Sequence, residues 1–343
     1  MTATIGPVDG FQRRHRVLGF PIAVVYKYFD DQGAYLSAIM TYYAFIAIFP
    51  ILLLGTSILG FVLQGNPDLQ ERLLNSALSQ FPIIGDQLGR PEGLQGSTSA
   101  IVVGSLAALY GSMGLGHAVQ NAANIAWSVP RNSRANPFLL RFRSLVLLSI
   151  GGIGILSLAI ATAVLANPVA MGADMEATVG TVSRGVGFVL TLGIFVAIFR
   201  MISLGRAKTR SVLPGAFFTA VLWQALQVVG NTYVTEVIGK ANQVNQTFAL
   251  VLGLIAFIYV AAIMVMLGLE VNVVLRRRLY PRALLTPFTD NVVLTEADQK
   301  AYVAYAKSQR HKGFQNVVVT FREGDEALPT RVGTDGPAPK TQR

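Results

Sequence analysis

The 343-residue sequence contains no cysteine. Disulfides, thiol catalysis and cysteine-ligated metals are excluded, although the compartment is left open. Charge is scarce. Asp, Glu, Lys and Arg make up 13% of the chain, about half the share of an ordinary soluble domain. The three histidines, His15, His117 and His311, lie far apart with no metal-ligand spacing. There is no Walker-type phosphate loop, so the chain does not hydrolyse ATP by that route. No paired carboxylates share a helix face. These absences point away from an enzyme, and no cofactor is implied. A short apolar leader with a small-residue cleavage site is also missing, so the first apolar segment is expected to insert the chain and stay.

What is present is apolar sequence in long runs. Leu36–Leu63, Ala100–Ile125, Ser144–Gly172 and Ala241–Leu269 carry no charge, and Gly185–Phe199 is a shorter run of the same kind. A helix needs about 20 residues to cross the hydrocarbon core. The runs are continuous rather than alternating, which excludes a β-barrel. The fold class expected is an all-α polytopic membrane protein. Six transmembrane helices are predicted over about 36–63, 100–127, 144–166, 184–204, 212–235 and 247–275. Residues 1–35 form an N-terminal segment with an interfacial helix in "HRVLGFPIAVVYKYFDDQG". Residues 36–280 form the membrane domain and 281–343 a tail. In the tail, "TEADQKAYVAYAKSQR" suits a short helix and "FQNVVVTF" a short strand, while the last twenty or so residues are expected to be disordered.

The net charge of +10 is read by position. Arg13, Arg14, Arg16 and Lys27 precede the first span. Arg131, Arg134, Arg141 and Arg143 separate spans 2 and 3; Arg200, Arg206, Lys208 and Arg210 separate spans 4 and 5; Arg276, Arg277, Arg278 and Arg282 follow span 6. All four clusters fall on one side, so both termini are predicted to be cytoplasmic. Topology accounts for the basic residues without nucleic acid. The first extracytoplasmic loop, 64–99, carries Leu69, Leu73, Leu74, Ala77, Leu78 and Phe81 at helical spacing, which predicts an amphipathic helix there.

The polar residues inside the spans are the candidate site. In "YGSMGLGHAVQNAANIAW", at 100° per residue, Tyr110, His117, Gln120, Asn121 and Asn124 gather on one side, and Leu115, Val119, Ala122, Ala123 and Ala126 on the other. Gln224, Gln227 and Asn231 repeat the pattern in the fifth span. Tyr42 and Tyr43 in the first, and Glu270 and Asn272 in the sixth, lie at similar depth. Two readings stand: hydrogen-bonded glue between helices, or a polar cavity for a substrate. Glu270 is the best single candidate for proton or cation coupling, against a structural pairing with Arg276 or a neighbouring basic loop. Pro50 is a candidate hinge or a static kink.

Four stretches carry a resemblance. "AYLSAIMTYYAFIAIFPILLL", "GHAVQNAANIAW", "LPGAFFTAVLWQ" and "MLGLEVNVV" resemble, in order and spacing, the motifs of the YihY/BrkB family, over roughly Val17 to Arg282. The flavour is that of its YhjD-like branch in actinobacteria. Leu269 stands where alanine is usual, and "FRMISLGR" lacks the proline often found after span 4. The resemblance implies six spans with cytoplasmic termini in a bacterial plasma membrane. It implies a transporter or an envelope-integrity factor, including lipid-related export; an older ribonuclease label is disfavoured by the residues. The function expected is export or transport of a lipid, amphiphile or other solute through a polar intramembrane cavity, the alternative being a non-transporting scaffold or regulator. Membrane lipids are the partners expected, with a homo-oligomer or envelope partner also compatible.

Overall fold

The computed structural model describes residues 6–62, 98–165, 176–203, 208–240, 243–289 and 292–321. The amphipathic helix predicted in 64–99 and the tail after 321 lie outside the described residues. Nine α-helices occur among the described residues: α1 Pro7–Arg14, α2 Arg16–Asp30, α3 Gly33–Val62, α4 Thr98–Ala126, α5 Pro137–Leu165, α6 Glu176–Ile202, α7 Thr209–Tyr233, α8 Gln243–Arg277 and α9 Glu296–Ser308. A π-helical turn, Val234–Ile238, prolongs α7.

Each of the six predicted spans falls on one of the helices α3 to α8. Four of them, Pro137–Ala161, Val182–Ile202, Thr209–Ile238 and Phe248–Arg277, are long and apolar enough to cross a membrane, and Gly33–Ile48 is a shorter apolar stretch. α5 starts at Pro137, well before the predicted 144, and includes Arg141 and Arg143. A helix continues past the hydrocarbon wherever its backbone stays paired, so a charge-free run marks only the lipid-buried portion. The N-terminal helix is two helices, not one: His15 is extended (φ −107°, ψ 93°) and separates α1 from α2. "FQNVVVTF" forms no strand. Gln315 to Phe321 are without regular structure; a strand needs a partner backbone, and among the described residues none pairs with this segment.

The chain divides into two compact units. The larger, Val24–Ala126 with Ala135–Arg277, contains α3 to α8. Each of these helices packs on its neighbours in the chain, and α8 returns against α3, so the six close into a ring. Across the ring, α4 also approaches α8 and, more lightly, α6. Small residues set the spacing. A side chain on Gly111 would strike Ala47 of α3, one on Gly116 would strike Ser144 of α5, and one on Gly268 would strike Thr219 of α7. Such close approach lets helices pack in lipid without a hydrophobic driving force. Between 22% and 33% of the most apolar stretch is buried in the four long apolar helices, so each leaves most of its surface uncovered.

The smaller unit joins Met1–Ala23, Trp127–Arg134 and Arg278–Arg343. Asp9 accepts from Gln12 (2.9 Å) and from the Leu284 amide (3.2 Å), and pairs with Arg13 (2.6 Å). Arg13 donates to the Val293 carbonyl (2.8 Å). Arg282 and Asp298 form a buried ion pair, and Asp298 also accepts from the Ala283 amide (3.0 Å). The Asn132 amide donates to the Arg310 carbonyl (3.2 Å). Thus the segment after α8 holds both the N-terminal segment and the 127–134 loop by backbone and polar contacts.

Candidate functional site

The polar residues of the larger unit separate into three groups. The first is spent between helices. Gln120 of α4 is buried, and its Nε2 faces the carbonyls of Gly116 and Leu140 (both 3.1 Å) and Ser144 Oγ (3.0 Å), tying α4 to α5. Asn272 of α8 accepts from the Gly215 amide (2.8 Å) on α7, where Pro214 interrupts the helical bonding pattern. Tyr43 lies over Gly114 of α4 and is half-buried. Asn124 is buried; Asn121 and Gln227 are half-buried and engaged in polar interactions.

The second group is exposed. Tyr42 keeps 60% of its surface free and meets Tyr43 edge-on, ring centroids 5.2 Å apart. His117, Gln224 and Asn231 are also exposed. Hence the stripe on α4 is split: Gln120 and Asn124 turn into protein while Tyr110 and His117 do not. Pro50 lies within α3, with its side chain outside the described residues.

The third group centres on Glu270, whose side chain is 0% exposed. Its partner is Lys27, from the last turn of α2, at 3.5 Å from Oε2. That is ion-pair distance but long for a hydrogen bond. Arg276, the partner considered from sequence, is exposed. Lys27 is itself buried at 1% and donates to Asp31 and to the carbonyl of Ala126 (3.1 Å), the last residue of α4. Asp31, at 0%, occupies the tight turn joining α2 to α3. That turn is built on Gln32, which is left-handed (φ 56°), and its geometry holds Asp31 one helical turn beyond Lys27. An acid at the C-terminal end of a helix works against the helix dipole; the Lys27 ammonium meets that charge and caps the end of α4 as well. Asp31 and Glu270 thus share the Lys27 ammonium. Among the described residues Asp31 Oδ1 and Glu270 Oε1 have no protein donor, and Glu270 Oε2 has the long Lys27 contact. Three ionisable side chains thus meet where α2, α4 and α8 converge.

Sequence reasoning found Glu270 and missed Lys27 and Asp31. Lys27 was counted among the basic residues that report topology. The signal available was its register: Ala23, Val24, Lys27, Tyr28 and Asp31 lie at helical spacing, and all five are buried. A lysine inside an apolar stripe is a buried charge in search of a counter-ion.

Long apolar helices closing on themselves around sparse polar residues define a multi-pass helical membrane protein. The chain belongs to the BrkB family: the family model described as "Virulence factor BrkB" matches residues 24–290, which include Lys27, Asp31 and Glu270. No curated protein matches the chain. No solved structure matches it either.

Proposed function

We propose that this is a six-span protein of a bacterial plasma membrane, with cytoplasmic termini, that moves a lipid or similar amphiphile along polar faces of the helix ring and performs no covalent chemistry. The observation that carries this reading is the exposure of Tyr42, His117, Gln224 and Asn231 on helices otherwise apolar. A polar group facing hydrocarbon without a partner costs about 1–3 kcal/mol or more, so such faces suit water or a solute with polar parts. The ring closure between α3 and α8 supports it, because a closed ring gives its helices an inner as well as an outer surface. The one-sided basic clusters support the cytoplasmic termini.

The test is flux. Purified chain in lipid vesicles is expected to move a fluorescent amphiphile faster than protein-free vesicles, and Gln224→Leu with Asn231→Leu to lose most of that rate while melting unchanged. Equal rates with and without protein would overturn the reading. A second reading, a scaffold for the envelope, draws on Gln120 and Asn272, both spent between helices. It predicts no flux and full complementation of a deletion strain by the Gln224→Leu, Asn231→Leu chain.

A further inference from the structure

The cluster at the end of α2 contains one ammonium and two carboxyl groups. All three side chains are at most 1% exposed, so water does not complete their bonding. Asp31 and Glu270 lie about the same Lys27 ammonium, Asp31 Oδ1 and Glu270 Oε1 have no protein donor among the described residues, and Glu270 Oε2 has the long Lys27 contact. Two carboxylates accept and do not donate. Two of them about one ammonium also leave a net negative charge that burial makes costly, and a proton on one removes that charge and lets it donate to the other.

We propose that Asp31 and Glu270 share one exchangeable proton, with Lys27 balancing the negative charge left over, so that the turn after α2 is held to α8 more tightly while that proton is bound. The proton comes from water and returns to it, leaving a carboxylate. This deepens the transport reading by naming its coupling ion, and only the coupling itself rests on that reading.

Other occupants fit less well. A divalent cation would sit against the Lys27 ammonium. It would also lack oxygen ligands, of which calcium and magnesium take about six or more. Among the described residues no group of three or more His, Cys, Asp or Glu could hold a metal. A sodium ion would compete with Lys27 for the Ala126 carbonyl.

The groups facing Glu270 are few. α2 brings Lys27, with Tyr28 beside it, and the turn brings Asp31. α4 brings the Ala126 carbonyl; its one histidine, His117, lies nine residues earlier, about 13 Å along the helix at 1.5 Å per residue. α3 contains no Asp, Glu, Lys, Arg or His. On α7 the nearest charge is Arg210, and on α8 Arg276; both are exposed.

The experiment uses the full chain in lipid nanodiscs, without substrate. Infrared difference spectra on a jump from neutral to alkaline pH should show loss of a protonated-carboxyl C=O band. Glu270→Gln, whose amide donates to Asp31 as the shared proton would, should abolish the band and leave α2 attached at alkaline pH. Wild-type chain should hold the α2–α8 contact less tightly there. That contact is read by the fluorescence of a dye on Tyr35→Cys, in a chain with no other cysteine. The attachment constant should fall about tenfold per pH unit, the slope for one proton. Absence of the band in wild type, its persistence in Glu270→Gln, or identical pH profiles for the two would overturn the proposal. So would a profile that shifts with sodium concentration, which would make sodium the occupant. Should Glu270→Gln not fold, Asp31→Asn serves in its place, and the wild-type band decides regardless. Flux is measured separately: vesicles without flux but with the band defeat transport alone, and flux without the band defeats the proton site alone.

Discussion

Gln120 and Gln224 are the same side chain with opposite placements, and the difference is testable one residue at a time. Gln120 ties α4 to α5, so Gln120→Leu should lower stability by about 1 kcal/mol, the usual worth of an amide bond between membrane helices; a small drop in melting temperature in detergent checks it. Gln224 is exposed, so Gln224→Leu should leave melting unchanged. Glycines show the same contrast. A methyl group on Gly268 would overlap Thr219 of α7, whereas Gly151 has open space around it. Gly268→Ala should therefore destabilise by about 1–3 kcal/mol through overpacking, and Gly151→Ala should be neutral or slightly stabilising through helix propensity. Comparison of the two melting temperatures decides. At this scale the sequence was half legible. Periodicity shows that polar residues share a face, and does not show which neighbour that face meets. Glu270 stood out because a carboxylate is rare at membrane depth. Lys27 did not, because a lysine near a span end has an ordinary explanation in topology.

At the scale of elements, continuous apolar runs made α3 to α8 legible, since nothing but a helix satisfies the backbone in lipid. The short terminal elements were read less evenly. α9 was foreseen, and it begins with a capping box in which Thr295 and Asp298 exchange bonds. Thr295→Ala should cost about 1 kcal/mol and speed amide exchange across 296–308. The predicted strand failed because β-propensity needs a partner, which no local pattern supplies. α1 and the segment after α8 are joined at Asp9. Burial, the largest influence, pushes that carboxyl up; hydrogen bonds from Arg13, Gln12 and the Leu284 amide, with the Arg13 charge, outweigh it and hold it below the ordinary value. The folded unit then binds fewer protons than the unfolded chain. Asp9 contributes stability above the ordinary carboxylate range, and that contribution is lost as pH falls through the lower folded value. Proteolysis of the 7–14 and 282–308 segments should accelerate on acidification in wild type. In Asp9→Asn it should be faster at neutral pH and change less with acid.

For the whole molecule, the basic clusters predicted one side for both termini, and the smaller unit assembles segments from both ends with the 127–134 loop. A chain without cysteine lends itself to single-cysteine mapping. Phe11→Cys, Ser133→Cys and Lys312→Cys should react with a membrane-impermeant thiol reagent only in opened cells, and Lys240→Cys in intact ones; mixed labelling of the first three would refute the shared side. The order of packing was not legible, because hydropathy marks each helix without saying which others it meets. Sequential neighbours are a fair default, but the contact of α8 with α3 joins the two ends of the domain. That contact has a consequence for how the protein is made. Helices leave the ribosome in order, at about 5–20 residues per second, so α3 is made long before α8 exists. During that interval the flank of α3 reserved for α8 is uncovered, and Glu270, which pairs with Lys27, has not been synthesised. The nascent chain thus passes through a stage with a charged cluster lacking its last member. Chains truncated before α8 are therefore expected to be degraded faster than the full chain, because the flank of α3 that α8 covers stays open.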